Sequence, residues 1–251
     1  MRLDNRVAII TGGNRGIGRA IALSFAREGA KVVVVGRNKT RCDEVVTQIS
    51  TEDGCALSIQ ADIASEADVT KMVEQTKEKF QCIDILVNSA AVNLPYRTVT
   101  ELSLDEWNWV IGINLTGTFL CCRAVLSQMI AQRSGKIINL SSIGGRSGAA
   151  GRTPYRASKA AIINFTECLA AEVKEFDIDV NAICPGTVAT DMLREIHGGE
   201  IPANAMPPAD IAAVAVFLAS DESRAITGTS INAFGHSNPL FRASTWVRGL
   251  K

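Results

Sequence analysis

The sequence lacks the marks of several protein classes. Its seven cysteines are scattered, with no CxxC pair and no zinc-ligand spacing, so neither a disulfide framework nor a metal site is indicated. Lys plus Arg number 26, as do Asp plus Glu, which gives a formal net charge of +0. This balance does not favour a nucleic-acid surface or a strongly acidic partner.

Long apolar runs and a leader segment are also missing. No uninterrupted apolar run approaches the roughly 18 residues of a membrane-spanning helix, so we expect no membrane association. Residues 1–6 lead directly into an apolar strand pattern, so we expect no signal peptide. Cys121 and Cys122 are adjacent and are expected to be small buried residues. The chain is therefore expected in a reduced, cytoplasmic setting.

What the sequence does have is an alternation of aliphatic strand and helix patterns. A hydrophobic content of 47% with 5% aromatics suits an aliphatic core, and 251 residues fit one α/β domain spanning 1–251. The patterns predict strands near 6–11, 31–35, 55–60, 83–87, 135–140, 178–183 and 228–232. They predict helices near 17–29, 39–50, 65–79, 103–131, 154–175 and 208–220. Right-handed crossovers then give a doubly wound parallel sheet with helices on both faces, whose ligands bind beyond the carboxyl ends of the strands.

The first predicted strand leads into a glycine-rich turn. Residues 11–18 read TGGNRGIG and are followed by a helical pattern that closes at Gly29. Strand, glycine turn and helix form the setting in which a dinucleotide pyrophosphate binds, because glycines allow close backbone approach and the helix N-terminus supplies free amides. The spacing is GxxxGxG rather than the commoner GxGxxG, and glycine turns alone are a weak signal.

A second feature is the pair Tyr155 and Lys159 in the segment YRASK. Residues four apart share one helix face, so the ammonium is expected beside the phenol, where it would lower a pKa that is ordinarily about 10. A tyrosine tuned in this way can exchange a proton near neutral pH. A lone YxxxK is more often a solvated helix face, so the interpretation depends on the other motifs.

Together these motifs resemble the short-chain dehydrogenase/reductase family over about residues 6–235, and within it the 3-oxoacyl-[acyl-carrier-protein] reductase-like members. Five family motifs occur in order: TGxxxGxG at 11–18, the assisting asparagine at Asn114, the catalytic serine at Ser142, YxxxK at Tyr155 and Lys159, and the PG turn at Pro185 and Gly186. Ser141 is the alternative serine, but the interval of thirteen residues to the tyrosine favours Ser142.

The resemblance implies a strand order of 3-2-1-4-5-6-7 and a catalytic set of Asn114, Ser142, Tyr155 and Lys159. Tyr155 would exchange the proton, Ser142 would bind the substrate oxygen, Lys159 would tune Tyr155, and Asn114 would hold a water; a purely structural, helix-bending Asn114 is the alternative. The family resemblance implies that the reaction requires no metal.

The resemblance also implies which residues bind the cofactor: Gly12, Asn14, Arg15, Gly16, Ile17, Gly18, Arg37, Asn38, Asp62, Ile63, Asn88, Ala90, Tyr155, Lys159, Pro185, Gly186, Val188 and Thr190.

The residues after the second strand favour NADP(H) over NAD(H). NAD-dependent members carry an acidic residue there for the ribose 2′-hydroxyl, whereas this chain has Gly36 and Arg37. Arg37 can pair with a 2′-phosphate, and Arg15 is a second cation of this kind. The alternative is that both arginines are solvated surface charges.

Several segments depart from the family pattern. The usual NNAG reads NSAA at 88–91, with Ser89 and Ala91 in place of an asparagine and a glycine, and the methyl group of Ala91 is expected to weaken cofactor binding. Arg146, Arg152 and Arg156 lie between the serine and the tyrosine, and either attract an anionic group or form a solvated rim. Leu94 and Tyr96 are expected to line the substrate pocket.

Two further segments bear on the substrate side. Residues 191–207 form a short lid, read as a loop, whose His197 is given no catalytic role. The tail 236–251 carries Phe241, Trp246 and Leu250, and either packs near the active site or on a neighbouring subunit, or is disordered.

The resemblance also implies a homotetramer, or a homodimer, formed through the helices near 103–131 and 154–175. The expected function is NADP(H)-dependent transfer of hydride between the nicotinamide and a small carbonyl or secondary alcohol substrate. The alternatives are an NAD-dependent sugar, polyol or hydroxyacid dehydrogenase, or a non-catalytic dinucleotide-binding regulator. Sequence alone does not separate reduction of 3-oxoacyl thioesters from oxidation of sugars or reduction of cyclic ketones.

Overall fold

Apolar strands alternate with helices to build one seven-stranded parallel sheet in the computed structural model, which describes residues 1–196 and 198–235. The strands are β1 (Val7–Thr11), β2 (Lys31–Gly36), β3 (Cys55–Gln60), β4 (Ile85–Asn88), β5 (Gly135–Leu140), β6 (Ile178–Pro185) and β7 (Ser230–Ala233). The helices are α1 (Gly16–Arg27), α2 (Lys39–Thr51), α3 (Glu66–Phe80), α4 (Leu104–Ile111), α5 (Gly117–Gln132), α6 (Thr153–Val173), α7 (Asp191–Ile196) and α8 (Pro208–Ala219).

The strand order is β3-β2-β1-β4-β5-β6-β7, which confirms the predicted topology. The chain starts in the middle of the sheet, runs outward to β3, and then crosses back to β4 on the other side of β1. A crevice therefore opens beyond the carboxyl ends of β1 and β4, where the winding direction reverses. Thr11 pairs with Asn88 in register at that edge.

The sheet separates two apolar layers because side chains alternate along each strand. In β1, Ala8 and Ile10 face the layer under α1, α2 and α8, whereas Ile9 faces the layer under α3, α5 and α6. Strands buried on both faces read as continuous apolar runs, as the stretch 32–35 of β2 does. Both layers are aliphatic, as the composition predicts.

The predicted strands and the first three helices agree with the structure to within about two residues. The long helix predicted near 103–131 is instead two α-helices joined by one π-helical turn, Gly112–Thr116. A π turn inserts an extra residue into the helical ladder, which the 3.6-residue periodicity does not reveal. The lid also contains a helix, α7, where the sequence indicated a loop.

The helical segment Leu104–Gln132 is 29 residues long and contains an 18-residue window with a mean hydropathy of 1.5, which meets the length and composition of a membrane span. The sequence analysis expected no segment with the length and hydropathy of a membrane-spanning helix, and this helix is an exception. Leu120, Val125 and Met129 of α5 are buried in the layer against the sheet. Packing against the sheet thus accounts for the apolar character of the segment.

Candidate active site

The glycine turn between β1 and α1 forms the floor of a cleft. Gly12 has φ +65, and a Cβ there would lie 2.8 Å from Ala90 Cα. A Cβ on Gly18 would lie 2.2 Å from the carbonyl oxygen of Gly12. Any larger residue at either position would therefore displace the main chain. Arg15 precedes α1 without capping it through its side chain, and no acidic residue occupies the first turn, so the amides there are open to an anion.

The cleft has a volume of about 340 Å³ and extends from the end of β2 to the start of α6. Fifteen of the predicted residues line it: Gly12, Asn14, Arg15, Gly16, Ile17, Gly18, Arg37, Asn38, Asp62, Ile63, Ala90, Tyr155, Lys159, Pro185 and Thr190. The structure thus brings the glycine turn and the YxxxK pair, about 140 positions apart in sequence, to one cavity.

Five predicted residues do not line the cleft: Asn88, Asn114, Ser142, Gly186 and Val188. Val188 and Gly186 support it from behind. Val188 forms a bridge with Met206, and Gly186 packs on the main chain of Phe234, so both fix the base of the lid.

Twelve lining residues were not among the predicted site residues, although Gly36, Ser89, Ala91 and Ser141 were considered and Asp191 and Met192 belong to the predicted lid. The twelve are Val35, Gly36, Arg41, Ala61, Ser89, Ala91, Val92, Ile113, Leu140, Ser141, Asp191 and Met192. Most are neighbours of predicted residues along a strand end. Arg41 is different, because it lies on α2, one helical turn after Asn38. Its spacing from Asn38 is helical, but its place in the cleft depends on how α2 packs against the sheet.

Arg15, Arg37 and Arg41 form a basic end of the cleft. Arg37 and Arg41 have no acidic partner among the described residues, whereas Arg15 Nη1 lies 3.4 Å from Glu195 Oε1 on the lid helix. Asn38 Oδ1 accepts a hydrogen bond of 3.0 Å from the Arg41 amide and so caps α2. The positive charge at this end of the cleft is thus largely unneutralised by protein.

Tyr155 and Lys159, the predicted catalytic pair, lie at the other end. Lys159 is 3% exposed, its Nζ donates a 2.7 Å hydrogen bond to the Leu140 carbonyl oxygen, and it lies 5.7 Å from the centre of the Tyr155 ring. Burial lowers the pKa of Lys159 to about 8. An ammonium with this pKa is still mostly protonated at pH 7, but it loses its proton at a lower pH than an exposed lysine does.

The expectation that Lys159 lowers the pKa of Tyr155 is not met in this structure. Burial raises the pKa of Tyr155, and the opposing contributions come from a hydrogen bond with Ser142 and from the charges of Arg152 and Arg156. The reason is geometric, because the Lys159 ammonium is directed at the Leu140 carbonyl group and lies over the phenol ring rather than at its hydroxyl.

The two serines after β5 differ in their contacts. Ser142 is in hydrogen-bonding contact with Tyr155, and its Oγ accepts a bond of 3.0 Å from the Gly144 amide. Ser141 instead donates a 2.7 Å bond to the Lys159 carbonyl oxygen and holds α6 against β5. The contact with Tyr155 therefore favours Ser142 over Ser141 as the serine of the catalytic set.

Asn114 is fully buried in the π turn and is held by main-chain contacts. Its Nδ2 donates to the Val92 carbonyl oxygen at 2.9 Å and its Oδ1 accepts from the Val92 amide at 2.8 Å. Nδ2 also lies 3.2 Å from Ser158 Oγ, one residue before Lys159. Asn114 therefore ties the π turn to the loop after β4 and to α6, which is the structural role.

Asn88 belongs to a buried polar chain behind the cleft. Its Nδ2 donates to Asn139 Oδ1 at 2.9 Å, and Asn139 Nδ2 donates to Thr166 Oγ1 at 3.0 Å. Thr11 Oγ1 accepts the amides of Ser89 and Ala90 at 3.2 and 3.3 Å. These bonds hold the loop after β4 close to the glycine turn without the asparagine and glycine of the usual NNAG pattern.

The three arginines before and after Tyr155 separate in space. Arg146 is bonded to the last strand, with Nε 3.0 Å from Asn232 Oδ1 and Nη2 2.8 Å from the Ser230 carbonyl oxygen. Arg152 and Arg156 lie near Tyr155. The Tyr96 ring packs on Gly151, beside Arg152, whereas Leu94 packs partly against the apolar layer.

His197 and the tail 236–251, with Phe241, Trp246 and Leu250, lie outside the described residues. Within the described part of the chain, no group of three His, Cys, Asp or Glu side chains is placed to hold a metal ion.

Comparison with known proteins agrees with this geometry. The family model "short chain dehydrogenase" matches residues 6–200. A 3-oxoacyl-[acyl-carrier-protein] reductase of Synechocystis sp. is 39% identical over 240 residues, covering 93% of this chain and 97% of that protein. The corresponding reductase of Staphylococcus epidermidis is 37% identical, covering 92% and 98%. The crystal structure of a levodione reductase is similar with a TM-score of 0.88 at 31% identity, covering 92% of this chain and 96% of that one.

A dinucleotide cleft that ends at a Tyr–Lys pair, on this sheet order, defines a class of nicotinamide-dependent oxidoreductases. The chain belongs to the short-chain dehydrogenase/reductase family, as its motifs predicted, and it is an NAD(P)-dependent oxidoreductase that acts on a CH–OH or carbonyl group.

Proposed function

We propose that the protein is an NADP(H)-dependent reductase of a small ketone, or dehydrogenase of the corresponding secondary alcohol, with Tyr155 as the acid and base. The observation that carries the proposal is the single cleft that joins three arginines at one end to Tyr155 and Lys159 at the other. The names of the 3-oxoacyl-[acyl-carrier-protein] reductases among its relatives support ketone reduction.

The cleft fits the cofactor by shape and charge. The main-chain approach at Gly12 and Gly18 leaves room for a pyrophosphate over the start of α1. The basic end formed by Arg15, Arg37 and Arg41 fits a 2′-phosphate, and no carboxylate lines the end of β2 to accept a 2′-hydroxyl instead. When bound, NADP(H) would supply the hydride chemistry.

The residues of the other end would handle the proton and the substrate oxygen. Tyr155 would donate its phenolic proton to the oxygen as the carbonyl group is reduced, and would accept it in the opposite direction. Ser142 would donate a hydrogen bond to the same oxygen, where negative charge develops. Lys159 would hold the ribose of the cofactor; once its Nζ turns from Leu140 toward that ribose, its charge would also favour the phenolate.

Three broader expectations belong to the same proposal. The whole chain would form one dinucleotide-binding domain, and residues 191–207 would cover the substrate as a lid. The protein would act in the cytoplasm. Assembly into a homotetramer, or a homodimer, would use the outer faces of α4, α5 and α6. Trp109 and Phe119 are 42% and 41% exposed there, and Phe119 meets Phe165 of α6 edge-to-face at 6.4 Å.

The first test is titration of the purified protein with NADPH and NADH. We expect NADPH to bind at least about tenfold more tightly, which corresponds to about 1.4 kcal/mol. Arg37→Asp should reverse this preference, because a carboxylate repels the 2′-phosphate and accepts a 2′-hydroxyl. Arg41→Gln should weaken the binding of NADPH and leave the binding of NADH unchanged.

A matched control is Arg224→Gln, which removes one positive charge at the opposite edge of the sheet, where Arg224 lines a separate cavity. Preference for NADH in the unaltered protein, or an unchanged preference in Arg37→Asp, would overturn the cofactor assignment.

A further inference from the structure

Two arginines beside Tyr155 have no acidic partner among residues 1–196 and 198–235. Arg152 is the residue immediately before α6, and Arg156 follows Tyr155 directly in the first turn. Both charges act on the Tyr155 phenol. By contrast, Arg2, Arg6, Arg27 and Arg123 all form ion pairs with acidic side chains.

Arg156 is held in place rather than solvated. Its Nη1 donates to the Ser147 carbonyl oxygen, and its Cγ would contact a Cβ built on Gly144 at 3.4 Å, as Tyr155 Cε1 would at 3.5 Å. The Nε group is buried and has no hydrogen-bond partner. A desolvated donor without an acceptor is unfavourable, so the protein by itself leaves the Arg156 guanidinium incompletely satisfied.

The position of the pair is unfavourable unless an anion is bound. Arg152, the N-cap residue of α6, and Arg156, in its first turn, place two positive charges beside Tyr155, and like charges repel. They lie at the N-terminus of a 21-residue helix, which has positive dipole character and no acidic residue in its first turn. Residues that oppose a local preference of this kind, here positive charges at a helix N-terminus, are expected at functional or strained sites when the protein itself provides no compensating contact.

We infer that the substrate carries its own oxyanion group, a carboxylate or a phosphate, which Arg152 and Arg156 bind while its carbonyl group lies at Tyr155 and Ser142. The inference rests on the proposed function and narrows its substrate class to anionic ketones. Tyr96, which packs on Gly151 beside Arg152, borders the same entrance. Arg146 is excluded from the site because Asn232 and Ser230 occupy its guanidinium group.

The test compares matched ketones with NADPH as reductant. One pair is acetoacetate and methyl acetoacetate; the other is dihydroxyacetone phosphate and dihydroxyacetone. We expect the charged member of one pair to have a kcat/KM at least about tenfold higher. The pair that shows the preference identifies the oxyanion as carboxylate or phosphate.

The ratio of kcat/KM for the charged and neutral members is the readout for the arginines. We expect Arg152→Gln with Arg156→Gln to lower this ratio at least about tenfold, mainly through KM. Any change that the substitutions cause in the pKa of Tyr155 affects both members and cancels in the ratio. Arg156→Lys should retain part of the preference, and Arg224→Gln, which removes a charge far from the site, should leave the ratio unchanged.

A binding measurement separates this inference from the proposed function. Calorimetric titration of the charged ketone into NADPH-loaded Tyr155→Phe should show binding that the double arginine variant loses. Binding that depends on the arginines, with no turnover in the unaltered protein, would overturn the proposed function and leave only the anion-binding role of Arg152 and Arg156 standing.

Three outcomes would overturn the inference itself. The first is an equal kcat/KM for the charged and neutral members of both pairs, and the second is a charged-to-neutral kcat/KM ratio that the double variant leaves unchanged. The third is a higher kcat/KM for a neutral acetoacetyl thioester of N-acetylcysteamine than for either anion. The last result would instead favour reduction of a carrier-bound thioester.

Discussion

The two ends of the parallel sheet treat charge in opposite ways. At the amino ends of the strands, Lys136 Nζ lies 2.6 Å from Asp179 Oδ2, and both side chains are about four-fifths buried, with exposures of 16% and 20%. Arg6 lies between Asp84 and Asp221, at 3.9 and 3.4 Å. The charges of Lys136, Asp179 and Arg6 are thus paired within the protein.

At the carboxyl ends, charges are left without partners. Lys159 is buried with only a carbonyl oxygen as acceptor, and Arg37, Arg41, Arg152 and Arg156 form no ion pair within the described part of the chain. We expect the paired end to contribute to stability, whereas the unpaired end is where we propose that anions bind and a proton is transferred. The comparison predicts that substitutions at the amino ends of the strands change the free energy of unfolding, whereas substitutions at the carboxyl ends change activity and cofactor affinity.

The largest effect should follow Tyr155→Phe at the unpaired end. Loss of the proton donor should lower kcat by about 10²–10⁴-fold, the usual contribution of general acid catalysis. NADPH affinity and the unfolding midpoint should change little, since the phenyl ring keeps its packing. Rates of NADPH oxidation with a ketone substrate, measured beside a cofactor titration, check this. A variant that keeps more than a tenth of the activity would remove Tyr155 from the acid and base role.

Lys159→Met should separate stability from activity. The folded-state pKa of Lys159 lies near 8 against an ordinary 10.5, so at pH 7 the folded protein holds a desolvated charge. Removing that charge should stabilise the protein by about 1–2 kcal/mol, after the lost bond to Leu140 is allowed for, while activity falls.

The sign of this effect fixes its pH dependence. Because the unfolded chain binds the proton up to a higher pH, stability of the unaltered protein rises between pH 8 and 10.5. The advantage of the variant should therefore be greatest below pH 8 and shrink above it. Urea unfolding at pH 7 and pH 10 measures this, and an advantage that grows with pH would contradict the burial of a charged Lys159.

Asp179→Asn tests the paired end. It leaves the Lys136 ammonium half-desolvated without its carboxylate and should destabilise the protein by about 1–3 kcal/mol. Activity per folded molecule should not change, because Asp179 lies far from the cleft. Glu52→Gln is the matched control: its pair with Arg27 is exposed, with side-chain exposures of 58% and 40% for Arg27 and Glu52, and should contribute less than about 1 kcal/mol. Equal losses in the two variants would contradict the assignment of stability to the paired end.

The smallest effect is expected at the ion pair between Arg15 and Glu195, at the edge of the cleft. Glu195→Gln frees Arg15 from the lid helix, and because an exposed pair of this kind contributes about 0.2–1 kcal/mol, NADPH should bind about two- to fivefold more tightly. NADH affinity should stay the same, since it carries no 2′-phosphate. Glu200→Gln removes the same charge from the lid without a described partner and should have no effect; a similar gain in both variants would assign it to net charge.

Much of the fold could be predicted from the sequence, for a physical reason. Buried parallel strands must be apolar on both faces, so 7–10 and 32–35 are recognisable without the rest of the chain. The family model and the sheet order confirm the resemblance found from the motifs. The π turn and the lid helix α7 were not predictable, because each depends on contacts with distant residues.

Some residues of the candidate site could be predicted from the sequence, and others could not. The glycine turn was identified locally, and the Tyr–Lys pair through the family motifs that accompany it. Arg41 was missed because it enters the cleft only when α2 packs against the sheet. The contacts of Asn114 with Val92 were likewise outside the reach of local patterns, since they close a gap of 22 residues.

The sequence by itself determined the family and the order of strands and helices, because these follow from motif spacing and local periodicity. The catalytic set that the family resemblance implies stays a prediction. Only the tertiary structure decided how the charges behave. Burial turned Lys159 into a weak acid directed at Leu140, raised the pKa of Tyr155 instead of lowering it, and left Arg152 and Arg156 without partners while Arg146 acquired them. Electrostatic energies depend on distance and desolvation in three dimensions, and neither quantity is written in the order of residues.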